Sequence, residues 1–229
     1  MKPSGGRVVG SGRTEGVPPR RLTVFGSTGS TGRKIVELAL SRNDSVTVLV
    51  RDRTRLGELA NRVSVVEGNA LDSVAVARAI PQDSDAVLIA LGHTKDSPRD
   101  LETVALGNIV ASMRATGVKR LVLLSNAGVG DSADRPSIGQ RVLQWLLKVF
   151  MKDVYQDSLG AGHVVKGSDL EWTIARASIL TNAAAKGKYH VGPMSRGIGV
   201  RISRSDMAEF MVKCATEGLH LCESPYVGE

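Results

Sequence analysis

The sequence predicts an α/β protein on a doubly wound parallel sheet, three layers thick, in a single domain. Three observations carry the prediction. Short β-branched runs alternate with segments of helical periodicity along most of the chain. The runs are apolar at nearly every position rather than at every second one, as strands buried on both faces must be. A loop of glycine, serine and threonine, "GSTGSTG" (26–32), joins the first run to the first helical segment.

The elements follow in order. Residues 1–20, "MKPSGGRVVGSGRTEGVPPR", carry Lys2, Arg7, Arg13 and Arg20 against Glu15 alone, a net of +3. Such a composition cannot supply a core, so a flexible basic tail is expected. "RLTVF" (21–25) reads as the first strand, and Ile35, Val36, Leu38, Ala39 and Leu40 within 31–42 have the spacing of a helix laid on a sheet. "SVTVLV" (45–50) and "RVSVVEG" (62–68) are the second and third strands, 73–80 a short helix, and "DAVLIAL" (85–91) the fourth strand. Leu101, Val104, Ala105, Asn108 and Ile109 predict a helix over 101–115, followed by a fifth strand, "RLVLLS" (120–125). Residues 138–151 form a helix that is apolar around much of its circumference, and a further helix precedes "EWTIARASIL" (171–180), a sixth strand running into a loop. Ser205 is the expected cap of a helix to about residue 217, and 224–228 a short last strand. No linker interrupts 21–229, which is taken as one domain with its substrate region mainly in 126–205.

With 229 residues, 42% hydrophobic and 23% charged, the chain can bury one sizeable core. No apolar run approaches the length of a membrane span. The two cysteines, Cys214 and Cys222, make no disulfide framework, and a reducing, cytoplasmic setting is expected. Aromatics are only 3% of the chain, which argues against a stacking surface for nucleic acid despite the net charge of +7. The four histidines show no metal-ligand spacing, so no metal is expected.

The loop Gly26, Ser27, Thr28, Gly29, Ser30, Thr31, Gly32 is the first candidate site. A triphosphate loop requires Ser or Thr after its lysine; here Lys34 is followed by Ile35. A dinucleotide loop fits the position between strand and helix. Gly26 would allow the tight turn, Gly29 the approach of a pyrophosphate and Gly32 close helix packing. A glycine-rich turn without a ligand remains the plain alternative. The end of the second strand bears on the choice. In dinucleotide enzymes an acid there holds the ribose 2′-hydroxyl, whereas arginine accommodates a 2′-phosphate. This chain has "VRDRTR", with Arg51 at the strand end, Arg55 one turn on, and Asp52 one position late for the ribose. NADP(H) is therefore favoured over NAD(H).

Together, "VFGSTGSTG", "VTVLVRDRTRL", "GNALD" (68–72), "IALG" (89–92), "GNIVASMRATGVKRLVLLSNAGV" (107–129) and "SDLEWTIARASIL" (168–180) resemble the atypical short-chain dehydrogenase/reductase group. Within it the chain is similar to the NAD(P)H-binding, NmrA-like proteins and to the biliverdin/flavin reductase branch, over roughly residues 21–227. The resemblance implies a Rossmann fold with NADP(H) over the strand ends. It places Gly26, Thr28, Gly29, Ser30 and Thr31 at the pyrophosphate and Arg51 and Arg55 at the 2′-phosphate. It places Asn69 and Ala70 on the adenine side, and Leu91 and Gly92 beside the ribose. Ser125 and Asn126 fall under the nicotinamide and are the candidate catalytic pair; Ala177 and Ser178 fall in the loop after the sixth strand.

Many short-chain reductases protonate a carbonyl with Tyr-x-x-x-Lys, in which the lysine lowers the tyrosine pKa. Here Tyr155 is followed four residues on by Leu159, and Tyr189 by Pro193. The expected chemistry is thus hydride transfer from NADPH to a flat conjugated acceptor (a flavin, quinone or tetrapyrrole) that takes its proton from solvent. The alternative is an NmrA-like NADP(H) sensor without turnover. Ser125 would either orient the acceptor or bond its own backbone. His93, His163 and Lys166 are weaker candidates, and the helix 138–151 is either a wall of the acceptor site or plain core or dimer packing. The partner is a small molecule, and the protein a monomer or homodimer.

Overall fold

The computed structural model describes the backbone of residues 7–10, and residues 19–127 and 129–229. Its strands are β1 (Arg7–Gly10), β2 (Arg21–Phe25), β3 (Ser45–Val50), β4 (Ser64–Glu67), β5 (Ala86–Ile89), β6 (Arg120–Asn126), β7 (Glu171–Ala177), β8 (Ile179–Thr181), β9 (Lys188–Gly192), β10 (Arg201–Ser203) and β11 (Tyr226–Gly228). Its helices are α1 (Ser30–Ser41), α2 (Ser73–Ala79), α3 (Leu101–Thr116), α4 (Ile138–Phe150), α5 (Lys152–Lys166) and α6 (Arg204–Glu217), with a 3-10 segment at Arg53–Asn61.

Nine strands form the main sheet in the order β1-β9-β11-β7-β6-β5-β2-β3-β4. From β4 through β11 every neighbouring pair is parallel, whereas β9 runs antiparallel to β11. This is the Rossmann-type doubly wound arrangement, and its strand order reverses between β2 and β5. Alternate residues of one strand feed opposite cores. In β5, Ala86 and Leu88 pack with α1 and α6, while Val87 and Ile89 pack with α2, α3 and α5. That double burial is why the strand reads "AVLI" with no polar position.

Three expectations are corrected. The basic segment 1–20 is not flexible throughout: Arg7–Gly10 pairs with β9 from Arg7↔Val191 to Gly10↔Lys188, because β9 would otherwise leave an edge of unpaired backbone. The remainder of the expected tail, 1–6 and 11–18, lies outside the described residues. The stretch beyond the sixth strand is not all loop: the strand ends at Ala177, and β8 leaves the main sheet to pair in parallel with β10. The cap of α6 is Ser203, not Ser205: its Oγ accepts from the Asp206 amide at 2.9 Å and donates to the Asp206 carboxylate at 2.7 Å. Asp206 is itself buried and accepts from the amides of Lys186 and Gly187, which fixes the start of the helix two residues earlier than the sequence spacing suggests.

Candidate functional site

Because these strands are parallel, their C-terminal ends open on one edge, and the loops after β2, β3, β4 and β5 line a cleft at the switch point between β2 and β5. Gly26, Thr28, Gly29, Arg51, Arg55, Asn69, Ala70, Leu91 and Gly92 all line it. The two arginines are there, and no carboxylate among the described residues is.

The glycine loop divides into two kinds of position. Gly26 has φ +81, and a Cβ there would sit 2.2 Å from the Ala90 carbonyl oxygen at the end of β5. A Cβ on Gly32 would sit 2.1 Å from the Gly26 carbonyl oxygen. Both glycines are thus demanded by the protein's own backbone: one joins β2 to β5, the other seats α1 on the loop. Gly29 is different. Its amide closes the turn onto the Gly26 carbonyl at 3.0 Å, yet a Cβ would come no nearer than 3.2 Å to that oxygen. Internal packing does not account for this glycine as it does for the others, and the cleft it lines supplies another reason. Gly29 is also the cap residue of α1 and offers no side chain to the first-turn amides, and no acid lies in that turn. A helix start of this kind carries partial positive charge and unmatched N–H groups, so it fits an anionic group such as a pyrophosphate. Of the other loop residues, Ser27 and Thr31 are buried and Ser30 is exposed.

Arg51 directly follows β3 and Arg55 lies in the 3-10 segment; both side chains are exposed. Asp52 is turned to another task, as its position suggested. It caps the 3-10 segment, accepting from the Thr54 amide at 2.9 Å and hydroxyl at 2.6 Å, and the hydroxyl bond holds its carboxyl below the usual range. A residue that sequence reasoning missed ties these parts together. The Arg33 guanidinium, on α1 next to Gly32, donates to the carbonyls of Arg55 at 2.7 Å and Leu56 at 3.2 Å. On the adenine-side loop, Asn69 accepts from the Leu71 amide at 3.1 Å through its side-chain oxygen, and Asn108 holds the Ala70 carbonyl at 3.1 Å.

The remaining predicted residues form a second group on the next two strands and do not line that cleft. Ser125 pairs with Arg176, and Asn126 with Ala177, across β6 and β7. Ser125 is buried, and its Oγ has no hydrogen-bond partner among the described residues; the expectation that it might bond its own backbone is not met. Asn126 donates to the Ser158 hydroxyl at 2.8 Å. The Ser178 hydroxyl lies 3.0 Å from that of Tyr226. His163 and Lys166 are exposed on α5.

Between the two groups lies a polar cluster that no sequence signal announced, apart from the position of His93. Asp157, buried on α5, accepts from the Glu102 amide at 2.6 Å, the Thr103 amide at 2.9 Å and hydroxyl at 2.6 Å, and it meets His93 Nε2 at 2.8 Å. It caps α3 from a neighbouring helix. Ser158 donates to the Glu102 carboxylate at 3.0 Å, which joins Glu102 to Asn126. Burial pushes the Glu102 carboxyl up to about 7, with the nearby Asp157 charge adding to the effect and the Ser158 bond and His93 opposing it.

Neither other tyrosine offers an exposed phenol. Tyr189 is buried edge-on against Phe210, and burial raises its pKa. Tyr226 is buried, donates to the Gly199 carbonyl, and is likewise raised. The helix α4 is neither core nor a wall of the cleft. Most of its apolar residues face outward, Leu143 and Leu147 are half-buried, and it is held by amide bonds on its inner face. No helix among the described residues is long and apolar enough to cross a membrane.

A family model described as NAD(P)H-binding matches residues 26–218, from the first glycine of the loop to the end of α6. An uncharacterised chloroplastic protein of Arabidopsis thaliana is 29% identical over 209 residues, 86% of this chain and 72% of that one. Among solved structures, a short-chain dehydrogenase/reductase from Veillonella parvula in complex with NADP superposes with a TM-score of 0.76 at 21% identity, covering 92% of this chain and 94% of that one. An anaerobillin reductase from Escherichia coli O157:H7 gives a TM-score of 0.74 at 23% identity, covering 91% and 97%. At these identities the two structures share the fold with this chain, while the family match spans most of its length. The chain belongs to the NAD(P)H-binding family.

Proposed function

We propose that this protein is an NADPH-dependent reductase that passes hydride to a flat conjugated acceptor of the flavin, quinone or tetrapyrrole type. The observation that carries the reading is the pairing of Arg51 and Arg55 with an uncapped helix start in one cleft that no carboxylate among the described residues lines. Two anionic groups spaced along one ligand suit that pairing, and a 2′-phosphate matches the planar, multi-donor guanidinium. On this reading Gly26 to Gly32 hold the pyrophosphate, Arg51 and Arg55 the 2′-phosphate, Asn69 and Ala70 the adenine, and Leu91 and Gly92 the ribose. Ser125, Asn126, Ala177 and Ser178 border the reacting end, where the Ser125 hydroxyl offers an unmatched donor to an acceptor oxygen.

The bound cofactor supplies the hydride, and the acceptor takes up one proton from water to balance it. The chain's own residues orient the two flat partners and exclude solvent between them. The lack of Tyr-x-x-x-Lys, with Leu159 four residues beyond Tyr155, supports an acceptor that needs no built-in acid. The anaerobillin reductase of the same fold supports a bilin as one such acceptor.

The test is titration with NADPH and NADH, followed by NADPH oxidation in the presence of a flavin, a quinone and a bilin. A total of about 1.5–3 kcal/mol from the two solvent-exposed arginines predicts a preference for NADPH of roughly ten- to a hundredfold, abolished in Arg51→Glu. Equal affinity of the native protein for both dinucleotides would remove the arginine reading. Tight NADPH binding with no acceptor reduced would leave the sensor without turnover in its place.

A further inference from the structure

The helix α4 reverses the usual logic of an amphipathic helix. Its inner face is anchored by hydrogen bonds beside the half-buried Leu143 and Leu147: Gln140 donates to the carbonyls of Ser195 at 3.2 Å and Ile198 at 3.1 Å, and Gln144 to that of Ala127 at 3.0 Å. Ser137 and Gln140 close a reciprocal capping box at its start. The segment leading into it is anchored as well. Asp134 receives two bonds from the buried Arg176, at 2.6 and 2.9 Å, and one from the Met194 amide. The helix is thus held firmly by its inner face, and most of its apolar side chains point to solvent.

Ile138 is 77% exposed, Trp145 58% and Phe150 76%, with Val142, Leu146 and Val149 exposed beside them. At 3.6 residues per turn, positions 138, 142, 145 and 149 form one continuous stripe. Of the eleven large hydrophobic side chains exposed among the described residues, seven fall in 138–151, so this is one concentrated patch and not the usual scatter. The helix itself carries bases and no acid, and the flanking Asp134 and Asp153 are paired with Arg176 and Arg99. Residues 135–152 contain Arg135, Arg141, Lys148 and Lys152 and no acid. Arg141 and Lys148, seven apart, flank the stripe on one side.

That charge pattern decides the occupant. A second copy docked about a twofold axis would set Arg141 and Lys148 against their own counterparts, with no carboxylate on either helix to neutralise them. A bilayer surface with anionic headgroups satisfies both features: it accepts the apolar stripe in the headgroup and acyl boundary and the bases among its phosphates. We propose that α4 is an interfacial helix by which the protein docks on membranes that contain anionic phospholipid, lying in the membrane surface without crossing it.

The experiment is sedimentation of the full chain with vesicles of phosphatidylcholine alone and of phosphatidylcholine with phosphatidylglycerol. Binding is expected only to the second kind, weakening as salt rises. Trp145 should shift its emission to the blue on binding, whereas Trp172 is buried in the core and gives no shift, so Trp145→Phe removes the signal. Each base near the surface contributes about fivefold to partitioning, so Arg141→Gln with Lys148→Gln should weaken it roughly 25-fold. Val142→Glu with Val149→Glu should reduce it at least about tenfold while far-UV circular dichroism and the NADPH titration stay unchanged. Equal binding to both vesicle types, or to neither, overturns the proposal. So does a native dimer that the two glutamates dissolve, which would assign the patch to a second copy.

Discussion

Glu102→Gln should stabilise the protein by an amount that grows as pH rises from 4.5 and is complete above about pH 7. Glu102 lies at the start of α3, buried, with its carboxyl raised from 4.5 to about 7. The groups that face it are Asp157 and Ser158 from α5 and His93 from the loop after β5. Between pH 4.5 and 7 the unfolded chain releases this proton while the native state keeps it. The native state then binds more protons, and stability falls as pH rises through that window. A difference of 2.5 pH units at about 1.4 kcal/mol each gives about 3 kcal/mol of destabilisation, complete above pH 7. Glutamine mimics the protonated carboxyl and can still accept from Ser158 Oγ through its amide oxygen, at a cost of about 1 kcal/mol for an imperfect bond. Net stabilisation of about 2–3 kcal/mol is expected at pH 8 and a small net loss, under about 1 kcal/mol, at pH 4.5. Urea unfolding of both proteins at the two pH values, with unchanged m-values, measures it. The same difference at both pH values, of either sign, would refute the reasoning, because a packing effect does not titrate.

Two further predictions test the frame of the site. Gly32→Ala places a methyl against the Gly26 carbonyl and should cost about 3 kcal/mol or unfold the loop, whereas Gly29→Ala should leave the melting temperature within a few degrees and lose dinucleotide affinity; thermal melts and NADPH titration of the pair separate the two roles. Asp134→Asn leaves the buried Arg176 without its charge partner and should cost about 3–5 kcal/mol in urea unfolding, while a loss under 1 kcal/mol would mean that water already reaches the pair.

What the sequence made legible was whatever depends on local pattern. The runs "RLTVF" and "SVTVLV" announce β2 and β3 to the residue, because strands covered on both faces need apolar side chains at nearly every position. The glycine loop and Arg51 are fixed by their distance from a strand end, whereas Asn69, Ala70, Leu91 and Gly92 follow only from the family resemblance. Features set by distant partners could not be read in either way. Arg33 reaches two carbonyls about twenty residues away, and Asp157 caps a helix more than fifty residues before it. Neither shows any local signature. The short strands β8 and β10 exist only because they find each other across a loop. For α4 the sequence reads as apolar around much of the circumference, which suggests burial and does not mark which side faces the protein. Only the bonds of Gln140 and Gln144 settle that.

The bridge from Arg33 to the carbonyls of Arg55 and Leu56 has a consequence for what the cleft measures. It fastens the turn that bears Arg55 to the same helix whose start faces the glycine loop, so Arg55 and that helix start stand a set distance apart. On the proposed function this pair is a ruler for two phosphates on one ribose. Adenosine 2′,5′-bisphosphate, which carries both marks and no nicotinamide, is then the smallest molecule that satisfies the ruler, and adenosine 5′-phosphate, with one mark missing, is not.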